Sequence, residues 1–297
     1  MLGNVLSCRE VLYQQMQVQI QPLSDSLGAE VIGLELSDQM DEETISLLQE
    51  SFLAYHLLCF RMEPLEASKF FSLASLFGTP QLQLIRRERN TAVPEVALFV
   101  STYEKESDKP DDLNEVRLSG WHTDDSYFAV PAKATLLQGL NIPTTGGQTR
   151  FCNTRSAYED LPKAFKSELY GKSAVHKYDT DRAVARPKNL SSIEVSETPD
   201  VTHPLVRTHD ETGNQAIYYN SNRTDSVVGM RADESDLLLD RLGEHITQSK
   251  YRYDHHWRVG DVLFWDNRCL IHSVNVDYPV GQERRHQRIL LKGSRPI

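Results

Sequence analysis

Two histidines and one aspartate in this sequence have the residue types and the order of ligands to a catalytic metal ion. His122 and Asp124 form a His-x-Asp pair, and His272 follows 150 positions after His122, beyond the segment Trp265–Arg268. Two histidines and one carboxylate can hold Fe(II) on one face and leave the opposite coordination positions open for oxygen and a co-substrate. Open positions distinguish catalytic metal sites from closed structural ones. The pattern therefore predicts an oxygen-activating enzyme with these three residues as metal ligands and catalytic residues.

The conformation of the His-x-Asp pair determines whether both side chains can reach one ion. In a β-strand, residues i and i+2 point to the same face. A strand here would direct His122 and Asp124 to one ion and turn Thr123 away. A lone His-x-Asp pair is common by chance, and its alternative interpretation is two polar residues at a strand end beside Trp121. His272 supplies a third ligand after an apolar strand and a turn, which favours the metal site.

Three arginines follow the distal histidine within 16 residues: Arg284, Arg285 and Arg288. In an apparent strand, Arg284, His286 and Arg288 share one parity and should line one face, while Arg285 faces the other way. The planar fork of an arginine pairs two-pronged with a carboxylate. An inward arginine beside the metal would therefore anchor a dicarboxylate co-substrate. The alternative, a solvated surface charge, is favoured only for Arg285.

Length and composition are those of an ordinary globular enzyme. The chain has 297 residues, of which 39% are hydrophobic and 25% are charged, so one domain over 1–297 can build a core that excludes water from a site. The net charge of −10 argues against nucleic acid or an anionic membrane surface as the main partner, because phosphate binding requires a basic face. We expect a small-molecule substrate and a homo-oligomer.

The cysteines and the apolar runs indicate the compartment. The four cysteines form no CxxC pair, and no secretory signal is recognisable, so disulfides are disfavoured. Cys59 and Cys269 lie in apolar runs and are expected to be small buried hydrophobes. No apolar run reaches the roughly 18 residues of a membrane span. These features predict a cytoplasmic protein with reduced thiols.

Hydrophobic periodicity predicts many short strands and a few helices. Helices are predicted at 41–56, 65–77, 155–170 and 233–248, and strands at 16–21, 57–60, 134–140, 149–152, 205–207, 216–220, 261–265 and 286–292. This combination is typical of a mostly β protein with peripheral helices, built as a double-stranded β-helix of the cupin-like jelly-roll type. The charged segment 102–118 lacks periodicity and leads into the metal-ligand motif, so we expect it to be a lid.

Five sequence blocks, in order, resemble the taurine dioxygenase-like (TauD/TfdA) family of Fe(II)- and 2-oxoglutarate-dependent oxygenases. They are Leu27–Gly33, Phe77–Gly78, WHTDDSYF at 121–128, Thr145–Thr149, and WDNRCLIHS followed by RRHQRILLKG at the C-terminal end. Together they span nearly the whole chain, which makes the combination far more specific than any single motif. The resemblance implies a dioxygenase that uses Fe(II), O2 and 2-oxoglutarate. Such an enzyme oxidises a C–H bond of its substrate and releases succinate and CO2.

The resemblance also implies roles for individual residues. The three predicted metal ligands would hold the iron. Thr149, 27 residues after the first ligand, would help to bind 2-oxoglutarate, and Arg284 would pair with its distal carboxylate. Spacing to Arg288 and strand parity favour Arg284 for this role, and Arg285 is the alternative. Arg288 occupies the position at which family members hold an anionic group of the primary substrate.

Departures from the family pattern concern the substrate. Close taurine oxidisers carry a histidine after the Phe-Gly block that touches the sulfonate, whereas Thr79–Gln83 contains none. The polar-aromatic segment before the ligand motif is replaced by Val116–Gly120, and Arg223 follows Tyr218–Asn220 where relatives tend to have phenylalanine. Arg223 is either a second anion contact or a surface residue. The expected substrate is a small anion other than taurine, contacted by Arg288, Arg223 and Gln83.

Two other classes of function are compatible with a metal site of this kind. One is a catalytically silent, metal-binding jelly roll that serves as a ligand-binding module. The other is a zinc hydrolase that uses the same three ligands. The intact triad with Thr149 and Arg284 weighs against the first. The second would leave the arginine anchor unexplained, and the sequence contains nothing that resembles the general-base helix motif of such hydrolases.

Overall fold

The computed structural model describes residues 18–34, 40–102, 120–183 and 188–297. The strands are β1 Gln19–Pro22, β2 Ala29–Ile32, β3 Leu57–Phe60, β4 Pro80–Gln81, β5 Ala97–Ser101, β6 Ala134–Asn141, β7 Thr149–Asn153, β8 Ser173–His176, β9 Val201–Pro204, β10 Val206–Thr208, β11 Gln215–Ile217, β12 Thr224–Val227, β13 Arg252–His255, β14 Val262–Asp266, β15 Leu270–Val274 and β16 Arg284–Leu291. The helices are α1 Glu42–Tyr55, α2 Ala67–Ser75, α3 Thr154–Glu159, α4 Lys163–Leu169, α5 Ser192–Ser196 and α6 Ala232–Ile246.

The strands form one large sheet and three small ones. The large sheet has the order β1-β2-β3-β14-β6-β16-β4, with β5 also paired to β16. A second sheet has the order β13-β7-β15, and the others are β12-β8-β9 and β10-β11. All these pairs are antiparallel except that between β2 and β3. The predicted mostly β architecture with peripheral helices is confirmed.

The large sheet carries a hydrophobic core on each face. On one face, α1 packs against β14, and the rings of Phe52 and Phe264 stack with centroids 3.9 Å apart. The helix begins where the Asp41 carboxylate accepts a hydrogen bond from the Thr44 N–H at 2.7 Å. On the other face, Trp265 packs against Phe151 of β7, with centroids 5.3 Å apart, and joins the two main sheets.

One predicted helix is wrong in extent. The segment 155–170 forms two helices, α3 and α4, because Pro162 lies between them. Proline has no N–H to donate and its ring clashes with the carbonyl of residue i−4, so a single helix cannot continue through this position. The predicted lid at 102–118 lies, apart from Thr102, outside the described residues.

The structure describes three of the four cysteines and six α-helices. Cys59, Cys152 and Cys269 are buried and free, and Cys8 lies outside the described residues. Within the described ranges, no helix combines the length and the apolar character that crossing a bilayer would require.

Candidate active site

One cavity of about 340 Å³ is lined by the residues that the sequence analysis favoured as site residues. It lies where the turn after Trp121 meets β7, β15 and β16. The predicted residues that line it are His122, Asp124, His272, Thr149, Arg284, Arg288, Arg223 and Gln83. Folding brings distant residues together there: Gln83 and Arg288, which are 205 positions apart in the sequence, are in direct contact.

The three predicted metal ligands converge at one end of the cavity. His122 and His272 form an isolated antiparallel bridge, with N–H···O distances of 2.9 and 2.7 Å between their main chains. This pairing holds their imidazole centroids 4.1 Å apart. His272 Nε2 lies 4.0 Å from Asp124 Oδ2, and one potential ligand atom from each of the three residues lies within 4.8 Å of the others. The donors can therefore meet on one ion.

The predicted strand over the His-x-Asp pair is wrong. Only His122 makes a β-bridge, and the chain turns over 124–127, with Asp125 in the left-handed region at φ 59°. The turn is fixed by Asn267, whose carbonyl accepts from Thr123 Oγ1 at 2.7 Å and whose side-chain oxygen accepts from the Asp124 N–H at 3.3 Å. Asp124 is thus aimed by a tertiary contact rather than by the alternation of a strand.

The charge state of the three residues fits a divalent metal ion. Burial lowers the pKa of His122 and lowers that of His272 to about 3, so both rings are neutral. The Nδ1 of His122 lies 3.0 Å from the Gly120 carbonyl oxygen, which assigns the proton to Nδ1 and leaves Nε2 free to coordinate. Neutral imidazoles beside an ionised carboxylate are the form that binds metal.

Asp124 is kept ionised by its surroundings. Burial alone would raise its pKa, but the Arg288 guanidinium, followed by His272 and His122, lowers the pKa of Asp124 to about 2. Thr135 Oγ1 donates to Asp124 Oδ2 at 2.6 Å, and Arg288 Nη1 donates to Oδ1 at 3.2 Å. Both carboxylate oxygens are therefore oriented as well as charged.

A second group of polar residues lies deeper, on β7 and β16. Arg284 is only 8% exposed; its Nε donates to the Gly147 carbonyl and its Nη2 to Thr149 Oγ1, both at 3.1 Å. Trp257 Nε1 also donates to Thr149 Oγ1, at 3.0 Å. Arg285, the alternative anchor, has a side chain 45% exposed and pairs with Glu283 at 2.9 Å outside the cavity. The position of Arg284 is therefore the one suited to a carboxylate inside the protein.

The remaining predicted residues, Arg288, Gln83 and Arg223, also line the cavity. Arg288 Nε and Nη2 both donate to Gln83 Oε1, at 2.9 and 2.7 Å, and its guanidinium lies 4.3 Å from the Phe99 ring centroid. The Arg223 guanidinium carbon lies 5.5 Å from the ring centroid of Tyr127 and 4.8 Å from that of Tyr178. Arg223 lines the cavity, and its role there stays a prediction.

Several cavity residues were not predicted. The Asp125 carboxylate accepts from the Tyr127 hydroxyl at 3.0 Å and from Gln81 Nε2 at 2.9 Å, and burial raises the pKa of Asp125 to about 6. Asp125 and Tyr127 could have been predicted as cavity residues, because they follow the proposed metal ligand Asp124 in the sequence. Tyr178 and Trp257 carry no local signal, because only the tertiary structure brings Tyr178 to the cavity and Trp257 to Thr149.

Comparison with known families and proteins agrees with the fold. The family model described as taurine catabolism dioxygenase TauD, TfdA family matches residues 19–290. An alkylsulfatase of Acinetobacter baylyi is 32% identical over 94% of this chain and 86% of its own length. An alpha-ketoglutarate-dependent 2,4-dichlorophenoxyacetate dioxygenase of Burkholderia sp. is 31% identical over 80% of this chain and 82% of its own.

Solved structures show the same architecture. A taurine dioxygenase from Burkholderia xenovorans aligns with a TM-score of 0.80 at 28% identity, covering 94% of this chain and 91% of that one. AAD-2, solved in complex with Mn(II) and N-oxalylglycine, aligns with a TM-score of 0.75 at 25% identity, covering 95% and 99%. The chain belongs to the TauD/TfdA family and is a jelly-roll dioxygenase of the alpha-ketoglutarate-dependent class, so the resemblance seen in the sequence is confirmed.

Proposed function

We propose that this protein oxidises a C–H bond of a small anionic molecule with Fe(II), O2 and 2-oxoglutarate, and that His122, Asp124 and His272 hold the iron. The observation that carries the proposal is the convergence of these donors at one end of a cavity whose other polar groups include a buried arginine. When bound, Fe(II) supplies oxygen activation, coupling oxidative decarboxylation of 2-oxoglutarate to succinate and CO2 with oxidation of the substrate.

The protein's own part is to orient both organic molecules. Arg284 presents a fork to the distal carboxylate of 2-oxoglutarate, and Thr149, held by Trp257, adds a hydroxyl beside it. Thr135 and Arg288 fix the two oxygens of the ligand carboxylate. Such fixed donors and ligands reduce the entropy lost on reaching the reactive geometry.

The cavity supports an anionic substrate with an apolar body. Arg288, Arg223 and Gln83 supply the polar contacts, and Leu84, Ile85, Leu137 and Val274 supply apolar lining. Among the relatives, an alkylsulfatase, a 2,4-dichlorophenoxyacetate dioxygenase and a sulfate ester dioxygenase are named for anionic compounds. Gln83 offers no imidazole to a sulfonate, which favours an anion other than taurine.

Assembly and compartment remain predictions. We propose a cytoplasmic protein that acts on small molecules rather than on nucleic acid or membranes. The net charge of −10 and the buried free thiols support this. The homo-oligomeric state is tested by light scattering coupled to size-exclusion chromatography, where a monomeric mass would contradict it.

The function is tested by anaerobic reconstitution with Fe(II) and 2-oxoglutarate, followed by addition of oxygen. A panel of alkyl carboxylates, sulfonates, sulfate esters and amino acids is screened, and succinate and substrate products are measured by mass spectrometry. We expect succinate release that requires Fe(II), O2 and one class of anion. Binding without succinate would favour the silent module, and metal-dependent cleavage without O2 would favour the zinc hydrolase.

A further inference from the structure

One buried histidine in the cavity has no part in the function proposed above. His286 lies on β16 with the same parity as Arg284 and Arg288, its exposed fraction is 0%, and it lines the cavity. Neither of its ring nitrogens has a hydrogen-bond partner among the described residues. Buried polar side chains are nearly always hydrogen-bonded, and one without a partner is costly. The nitrogens of His286 are therefore available to a ligand in the cavity.

The contacts of His286 place it beside the proposed co-substrate anchor, Arg284. The ring of His286 meets that of Trp257 edge-on, with centroids 4.6 Å apart and planes at 78°. Trp257 Nε1 in turn donates to Thr149 Oγ1 at 3.0 Å, and Arg284 Nη2 donates to the same oxygen at 3.1 Å. His286 follows Arg284 by two positions on the same face of β16, so these four side chains form one group.

A glycine gives Trp257 its place in this group. Gly139 of β6 is the register partner of His286 on β16. A Cβ at Gly139 would lie 2.8 Å from Ile142 Cδ1 and 3.3 Å from Trp257 Cε3. The tryptophan ring therefore packs closely on the bare backbone of β6, where it forms a fixed wall beside His286.

The donors in this group lack an acceptor that a carboxylate would supply. Thr149 Oγ1 accepts from both Trp257 and Arg284, so its own hydroxyl hydrogen is left for a third partner. Burial, together with the positive charge of Arg284, lowers the pKa of His286 well below its usual range, so the ring is neutral and carries one N–H. A guanidinium, a hydroxyl and an imidazole N–H together offer several donors and one positive charge, which suits a carboxylate.

We propose that His286 donates a hydrogen bond to the distal carboxylate of 2-oxoglutarate, beside Arg284 and Thr149, and so helps to select a 2-oxo acid that has a second carboxylate. This inference rests on the proposed function, because it adds a contact to the same co-substrate site. The carboxylate supplies the acceptor that the N–H lacks within the described structure. A neutral donor adds this bond without a second positive charge, so the charge of Arg284 stays matched by one carboxylate.

The test compares two 2-oxo acids of equal chain length. They are 2-oxoglutarate and 2-oxopentanoate, which has a methyl group in place of the distal carboxylate. Each is titrated by calorimetry, without oxygen, into protein loaded with Fe(II). The variants are His286→Met, which removes the N–H, and His286→Gln, which keeps an N–H donor. Arg285→Met is the matched control, because it introduces the same side chain at the neighbouring, exposed position.

We expect His286→Met to weaken the binding of 2-oxoglutarate about tenfold or more, the size of a hydrogen bond to a charged group. Its affinity for 2-oxopentanoate should stay within about threefold of wild type, because that acid has no distal carboxylate to accept the bond. His286→Gln should recover part of the affinity for 2-oxoglutarate. Arg285→Met should bind both acids as wild type does, and all variants should retain the same amount of Fe(II).

Unchanged affinity of His286→Met for 2-oxoglutarate would overturn the assignment. An equal loss of both acids would also overturn it, because it would show that His286 acts through the shape of the site. If His286→Met does not fold, His286→Phe, which keeps a ring beside Trp257, decides by the same comparison. The two proposals fail separately: a wild type that does not bind 2-oxoglutarate would refute the proposed function, whereas tight binding that is insensitive to His286 would refute this contact alone.

Discussion

Replacing Arg284 with alanine tests the proposed co-substrate anchor directly. The side chain is 8% exposed and makes two hydrogen bonds of 3.1 Å inside the cavity, so a carboxylate paired with it would be shielded from water. Removing one partner of a buried ion pair costs about 3–5 kcal/mol. At 1.4 kcal/mol per tenfold, the dissociation constant of 2-oxoglutarate should rise by roughly two to three and a half orders of magnitude.

The assay is calorimetric titration of 2-oxoglutarate into metal-loaded protein without oxygen. Arg285→Ala is the matched control, because its charge is adjacent in sequence but exposed and paired with Glu283. Far-UV circular dichroism checks that Arg284→Ala is folded, and Arg284→Lys, which keeps a charge, should show an intermediate loss. The metal content of all three variants should equal that of wild type.

The reasoning fails if Arg284→Ala binds 2-oxoglutarate as tightly as wild type. Loss of binding in Arg285→Ala instead would mean that the anchor is on the opposite face of β16. Loss of metal together with 2-oxoglutarate in Arg284→Ala would mean that the residue acts through the shape of the site rather than through its charge.

The remaining predictions concern the metal and the stability of the fold. Alanine at any one of the three metal ligands should abolish succinate formation while the fold is retained; full activity in an iron-reconstituted variant would remove that residue from the ligand set. Asp266→Ala should lower the free energy of unfolding by about 3–5 kcal/mol in urea denaturation, because Asp266 accepts from buried Arg268 at 2.8 and 2.7 Å, and an unchanged midpoint would contradict this. Burial lowers the pKa of His176 from 6.5 to about 3, so below pH 6.5 the unfolded chain binds a proton that the folded chain does not. Stability should therefore fall with acidification across that window, by up to about 1.4 kcal/mol per pH unit. His176→Phe should flatten the slope, and an unchanged pH profile would show that other groups set it.

The sequence by itself determined the residue types proposed as metal ligands, the order of the elements and the parity of the last strand. Arg284 and Arg288 face the cavity and Arg285 does not, as alternation along β16 requires. The run Leu57–Phe60 forms a strand within its predicted bounds. These features were readable because periodicity and spacing are local properties. The break at Pro162 is also a local feature, yet a single helix was predicted over 155–170.

The tertiary structure decided how the site is assembled. The His122–His272 bridge and the turn that aims Asp124 depend on contacts across about 150 positions, which no local pattern encodes. The same holds for Arg288, whose guanidinium donates to Gln83, 205 positions away. Arg223 lies between two tyrosine rings that only folding brings beside it. A side chain's charge is set by its residue type, but the availability of that charge to a ligand depends on which groups folding brings beside it.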